Sequence, residues 1–169
     1  CFNRKQSGES YEQTGIHQPF LSALAVPEGA GVTVHRTIGT PALRNLDPFM
    51  LLDHFGSDNP DEYIAGFPSH PHRGFSTFTC MIDGYSEHRD SMGNGSVIRP
   101  GDVQRMSAGS GVTHSEFNPS KDEPTHFLQI WLLPDKLDIE PGYEQKRFAS
   151  ESRRDTLKLL VSPDGRNGS

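Results

Sequence analysis

Apolar and polar positions alternate in short runs along most of the chain, and Gly, Pro, Asn or Asp interrupts nearly every run. Successive side chains of a strand point to opposite faces, so runs of this kind predict half-buried strands. They fall at Val32–Ile38, Phe49–Phe55, Phe75–Ile82, Tyr85–Asp90, Ser96–Arg99, Asp102–Ser107, Thr113–Phe117, His126–Leu133 and Leu157–Ser162, and they are rich in the β-branched and aromatic residues that suit a pleated surface. Asn94-Gly95 predicts a tight hairpin, because both central residues of a type I′ turn need positive φ. Asp83-Gly84 and Pro100-Gly101-Asp102 mark two further turns. No stretch sustains the i, i+3, i+4, i+7 apolar spacing of a long helix. The expectation is an all-β fold, a closed or nearly closed antiparallel barrel or jelly roll with few short helices, since both forms limit exposed sheet edges.

A length of 169 residues fits one domain. The punctuation divides it into a flexible lead-in at 1–20, one barrel at 21–148 and a loosely held tail at 149–169. The 17 Gly and 13 Pro agree with many turns and few helices. With 16 Lys and Arg against 22 Asp and Glu the net charge is −6, which lacks the basic footprint of phosphate-backbone recognition, so no direct nucleic-acid partner is expected. No apolar run approaches the ~20 residues of a membrane span, and Cys1 and Cys80 cannot build a disulfide framework. A soluble, cytoplasmic protein is expected. Because the first residue is Cys1 rather than Met, a trimmed chain or a processed lipid-anchored or periplasmic form stands as the alternative.

The 8 His change the picture, since so many raise the prior for a metal or acid/base site. Two i, i+2 pairs stand out: His70 and His72, and His114 and Glu116. Residues two apart on a strand face the same side, so two such pairs on neighbouring strands would aim three imidazoles and a carboxylate at one point. That donor set suits a first-row divalent ion and can leave coordination positions open for catalysis. A lone His-x-His pair is more often a solvated strand face; Gly101, Gly109 and Gly111 around the second pair, and the separation of the pairs, favour the site. If the first strand ran on unbroken, Ser76, Phe78, Cys80 and Ile82 would line the interior behind it. The other candidates carry blander readings. His88 and Asp90 read as a third pair on the protein surface, His126 as a rim or core histidine, and His17, His35 and His54 as structural or exposed. Trp131 and Phe49 read as core, Cys80 as an inert small hydrophobe, and Arg73 as either a rim salt bridge or a guide for an anionic substrate.

The stretch from Leu46 to Asn118 resembles the pirin family of the cupin superfamily. The match is carried by Asn45-Leu46-Asp47-Pro48-Phe49, Gly66-Phe67-Pro68-Ser69-His70-Pro71-His72-Arg73-Gly74-Phe75, Glu87-His88-Arg89-Asp90-Ser91-Met92-Gly93-Asn94, Pro100-Gly101-Asp102, Met106-Ser107-Ala108-Gly109-Ser110-Gly111-Val112-Thr113-His114-Ser115-Glu116 and Gln129-Ile130-Trp131. The resemblance implies a cupin barrel and one divalent first-row metal ion, Fe(II) first and Ni, Cu, Mn or Zn as alternatives, held by His70, His72, His114 and Glu116. Some members of the family act as flavonol 2,3-dioxygenases on quercetin and others are described as nuclear or transcriptional cofactors. The expected function is therefore a dioxygenase-like enzyme taking a flavonol and dioxygen, with Glu116 as catalytic base. The alternative is a non-enzymatic, redox-sensing regulatory module that docks a protein partner. Two departures stand out. Pirins usually have two barrels, so 149–169 resembles the start of a second one, which a homodimer could replace. Ser76 also stands where the general cupin pattern places a Glu, a change expected to spare the metal ligands and alter the hydrogen bonds around them.

Overall fold

Val32, Val34 and Ile38 occupy alternate positions of one strand and are all buried, as are Leu51, Asp53 and Phe55 on the strand that follows. This period of two builds the whole fold. The computed structural model describes residues 20–169; Cys1 and His17 lie outside them. The strands are β1 (Leu24–Glu28), β2 (Val32–Ile38), β3 (Phe49–Ser57), β4 (Phe67–His72), β5 (Ser76–Gly84), β6 (Ser86–Asp90), β7 (Gly95–Ile98), β8 (Asp102–Ser107), β9 (Val112–Phe117), β10 (Thr125–Leu132) and β11 (Gly142–Arg147). One helical turn, α1 (Pro60–Tyr63), is capped by the Asn59 side chain, which accepts from the Asp61 amide. No helix among the described residues is long and apolar enough to cross a membrane.

The strands form two antiparallel sheets, β1-β2-β3-β10-β5-β8-β11 and β4-β9-β6-β7. They face each other as a jelly-roll sandwich rather than a closed barrel, with the core of Val32, Val34, Phe55, Tyr63, Met81, Ile98 and Phe127 between them. The predicted all-β, nearly helix-free class is the one observed. Burying Tyr63 takes its hydroxyl out of water, and it donates to the carbonyls of Ser120 and Glu123.

Four local expectations are corrected. The strand carrying His70 and His72 does not continue into the next one: Gly74 adopts φ +81 between them, which resets the alternation. Thr77, Thr79 and Met81 are therefore the buried set, while Ser76, Phe78 and Cys80 line a groove on the outer face of the large sheet. Phe49 is also on that outer side and 37% exposed instead of core. The β6–β7 hairpin exists, but its loop is longer than a two-residue turn. Asp90 organises it by accepting from the amides of Met92 and Asn94, and positive φ falls on Gly93. Leu157–Ser162 forms no strand; Leu160, Val161 and Ser162 lie over the outer groove without a sheet partner.

Candidate metal centre

The small sheet places three i, i+2 pairs side by side. His70 of β4 lies directly opposite His114 of β9, and across β9 from β4, His88 of β6 lies opposite Glu116 and Asp90 opposite His114. Each pair faces inward because its strand alternates, so the register gathers six chemically active side chains. His70, His72 and His114 each offer a ring nitrogen within 4.8 Å of the others'. Glu116 meets the same limit with His114 and His88 instead, and shares with His70 and His72 the wall of a cavity of about 430 Å³.

The hydrogen bonds dictate which nitrogens are free. The Pro68 carbonyl can only accept, so His70 Nδ1–H donates to it at 2.8 Å and leaves Nε2 with its lone pair, 3.1 Å from His72 Nε2. The Asp90 carboxylate accepts from His88 Nε2–H at 3.3 Å, so a neutral His88 presents a lone pair at Nδ1. His114 Nδ1–H donates to that nitrogen at 3.4 Å, and His114 Nε2 is left buried with no partner among the described residues. An orphaned acceptor of this kind is costly unless something occupies it. The donor set of imidazoles with a carboxylate therefore fits a divalent first-row ion, with a carbonyl and a His-carboxylate pair orienting two of the rings as metal-bound histidines require.

Electrostatics agree. Burial first, and the His70 ring second, hold the His72 pKa down to about 4. Burial and the three neighbouring imidazoles take His114 to about 2. Both rings are neutral at pH 7, the form that binds metal. Burial pushes Glu116 up to about 7. His88 is lowered mainly by burial, against the pull of Asp90. Asp90 keeps a lowered pKa despite its own burial, because Asn94, His88 and the Met92 amide bond its carboxylate.

Above the histidines the cavity wall is aromatic and apolar, with Phe67, Phe127, Val34 and Trp131. Trp131 stacks on Phe75 at 4.5 Å and sets its edge against His72 at 5.2 Å. Its expected core role is corrected: it is a lining residue, and its Nε1 has no hydrogen-bond partner among the described residues. The large sheet also contributes Arg36, two residues from Val34 on β2, whose guanidinium donates to both oxygens of Asp53 at 2.8 and 2.7 Å and to Glu28 at 2.7 Å. These carboxylates raise the Arg36 pKa against the cost of burial.

Of the residues singled out from sequence, His70, His72, His114 and Glu116 are brought together. His88, read as a surface residue, is fully buried and behind His114. Arg73 points away from the cavity and makes only a loose 3.9 Å contact with the exposed Asp138. Ser76 lies beside Ser107, with 3.3 Å between hydroxyls, so the absent Glu does not alter hydrogen bonds at the histidines. Cys80 is partly buried, which raises its pKa despite Arg153. Arg36 and Asp53 escaped the sequence reading, though each is a charged residue at an inward position of its strand, between Val34 and Ile38 and between Leu51 and Phe55.

A family model described as Pirin matches residues 31–132. A pirin-like protein of Caulobacter vibrioides is 43% identical over 120 residues, which cover 70% of this chain and 44% of that protein. A quercetin 2,3-dioxygenase of Escherichia coli K12 is 43% identical over 113 residues, 67% of this chain and 48% of that one. The chain thus spans less than half the length of either relative. Among solved structures, the E. coli bacterial pirin YhhW in complex with nickel(II) superposes with a TM-score of 0.72 at 31% identity, over 89% of this chain and 65% of that one.

Proposed function

The chain belongs to the pirin family, and from that premise we propose that His70, His72, His114 and Glu116 hold one divalent first-row ion, Fe(II) first among the candidates, in a flavonol dioxygenase site. The observation that carries this reading is the set of converging imidazoles, with the His70 and His114 tautomers dictated by Pro68 and by His88 and Asp90, at the base of an aromatic-walled cavity. The nickel(II) complex of the related YhhW supports a divalent ion, and the name of the E. coli relative supports quercetin as the representative substrate. When bound, such an ion supplies Lewis acidity toward flavonol oxygens and a route for electron density to dioxygen.

The chain's own residues do the rest. Phe67, Phe127 and Trp131 offer flat apolar surface to a planar polyphenol and keep water from it. With an ion in place Glu116 would be held as the carboxylate, and the burial that raises its pKa to about 7 in the metal-free chain favours its receiving a phenolic proton and holding it in the cavity wall. The Arg36–Asp53 pair braces β2 against β3, fixing the wall opposite the histidines.

Protein loaded anaerobically with Fe(II) and washed with a weak chelator is expected to retain about one ion per chain, and then to bleach quercetin under air with matching oxygen uptake. His72→Ala loses both the metal and the activity. A chain that folds normally yet holds no metal overturns the site. One that holds metal and leaves every flavonol intact overturns the substrate and favours the regulatory module.

A further inference from the structure

The remaining histidines of the large sheet form a cluster of their own on its outer face, remote from the cavity. On β3, Asp53 and Phe55 point inward, so His54 between them points out. On β10, Thr125 and Phe127 are buried, so His126 points to the same outer side. The two strands are hydrogen-bonded neighbours, and Gly56 is the residue opposite His126. The His126 ring lies over that glycine: a Cβ at position 56 would come within 3.0 Å of it. Seated there, the ring turns toward the diagonal neighbour, and His126 Nε2 stands 2.8 Å from His54 Nε2. His35, directly opposite His54 on β2, adds a third imidazole to the face, with ring centroids 6.3 Å apart.

From this geometry we infer that His54 and His126 form a second transition-metal site, for Cu(II) or Ni(II), on the outer face of the seven-stranded sheet. Two nitrogens each about 2.0–2.1 Å from one ion are about 2.9 Å apart when they span the right angle of a square-planar or octahedral cis pair, and about 3.3 Å apart at the tetrahedral angle. The observed 2.8 Å matches the right angle. Cu(II) leads the Irving–Williams order for nitrogen ligands and is the stronger of the two candidates. Without metal, one ring donates its Nε2 proton to the other; to bind through both Nε2 atoms the donor ring moves that proton to its own Nδ1, so no net proton is released. The imidazole of His54 is also held below its ordinary pKa by partial burial and by His126 and His35, which keeps it neutral.

The test uses the full chain without an affinity tag and counts Cu(II) by equilibrium dialysis and electron paramagnetic resonance. A His70→Gln/His72→Gln/His114→Gln variant, in which both groups of cavity donors are broken, is expected to bind one Cu(II) with a nitrogen-ligand signature. Adding His54→Gln and His126→Gln abolishes that equivalent. Gly56→Val keeps both imidazoles but displaces the His126 ring, and weakens binding by about tenfold or more, as misplacing a ligand does. Retention of the equivalent after loss of both histidines overturns the proposal. So does a cavity variant that binds no Cu(II), or a Gly56→Val variant of undiminished affinity, which would make the copper bound an incidental product of exposed imidazoles. None of these outcomes depends on whether the cavity binds metal or turns over a flavonol.

Discussion

Lowering the pH of the metal-free protein from 7 to 5 sets two buried imidazoles against one buried carboxylate. His72 and His114 have folded pKa values of about 4 and about 2, against 6.5 in an unfolded chain. The unfolded state therefore takes up protons from pH 6.5 downward that the folded state refuses, and stability falls with pH across that window. Integrated from pH 7 to 5, each ring costs about 2 kcal/mol, or about 4 kcal/mol together. Glu116 acts with the opposite sign. Its folded pKa of about 7 exceeds the ordinary 4.5, so the folded state binds the proton first, and stability rises by about 2 kcal/mol over the same interval. The chelator-treated wild type should thus lose about 2 kcal/mol from these three groups, and Glu116→Gln about 4 kcal/mol. His88 and His54, also lowered, add the same slope to both proteins and cancel in the comparison. Asp90, lowered from 3.8, acts only in more acid solution. Urea denaturation midpoints at pH 7, 6 and 5 with a shared m-value decide the matter. Parallel pH profiles for the two proteins would show that Glu116 ionises normally in the folded chain, and the assignment of a proton acceptor in the cavity wall would fall with it.

Three further outcomes follow from the geometry. His88→Phe fills the same space but leaves His114 Nδ1–H without its acceptor; metal affinity measured by chelator competition should drop by about 10–100-fold while the far-ultraviolet circular dichroism is unchanged, and undiminished affinity would remove His88 from the centre. Arg36→Met strips a partner from the buried Asp53 carboxylate and should cost about 3–5 kcal/mol in urea unfolding, a loss that Asp53→Leu in the same chain largely restores. Gly84→Ala drives a Cβ into the Pro124 carbonyl oxygen at a φ of +69, so β5 and the segment leading into β10 must separate; soluble expression or the melting temperature should collapse, whereas Gly31→Ala, at a φ of +113 with open space around it, should cost only the backbone strain of about 1–3 kcal/mol.

How far the fold could be read from sequence depended on where a strand sits in its sheet. Strands inside a sheet that pack one face on the core bury alternate residues, so β3, β5, β9 and β10 declare themselves by period two, while β8 is buried on both faces. The three missing from the predicted runs, β1, β4 and β11, are all edges, and β4 was expected only through the His70–His72 spacing. An edge strand needs hydrogen bonds on one side only and tolerates Pro, which is why β1 carries Pro27 and β4 carries Pro68 and Pro71. It can also be polar, as Gly142-Tyr143-Glu144-Gln145-Lys146-Arg147 of β11 is. Leu157–Ser162 erred the other way: its apolar residues are used for packing over the outer groove, and packing needs no ladder.

The candidate centre shows the reach and the limit of the same rule. An i, i+2 spacing states that two side chains share a face but not which face, and sheet register decides that. His70 with His72 and His114 with Glu116 were legible because three imidazoles and a carboxylate make sense only together. His88 with Asp90 has the identical spacing and was assigned to solvent, because nothing local says that β6 lies beside β9 with Asp90 opposite His114. Once that register is known, the motif Glu87-His88-Arg89-Asp90 divides cleanly: Glu87 and Arg89 pair across the outer side of the strand at 3.7 Å, while both inner side chains are fully buried. The lining residues failed for the complementary reason. Gly74 at φ +81 lies between β4 and β5, so parity counted from His72 is wrong by one, and Ser76, Phe78 and Cys80 fall on the outer face. The charged residue at an inward position is the signal that survives such slips. Arg36 and Asp53 both carry it within unbroken strands, and there a charge between buried apolar neighbours must have a partner or a ligand.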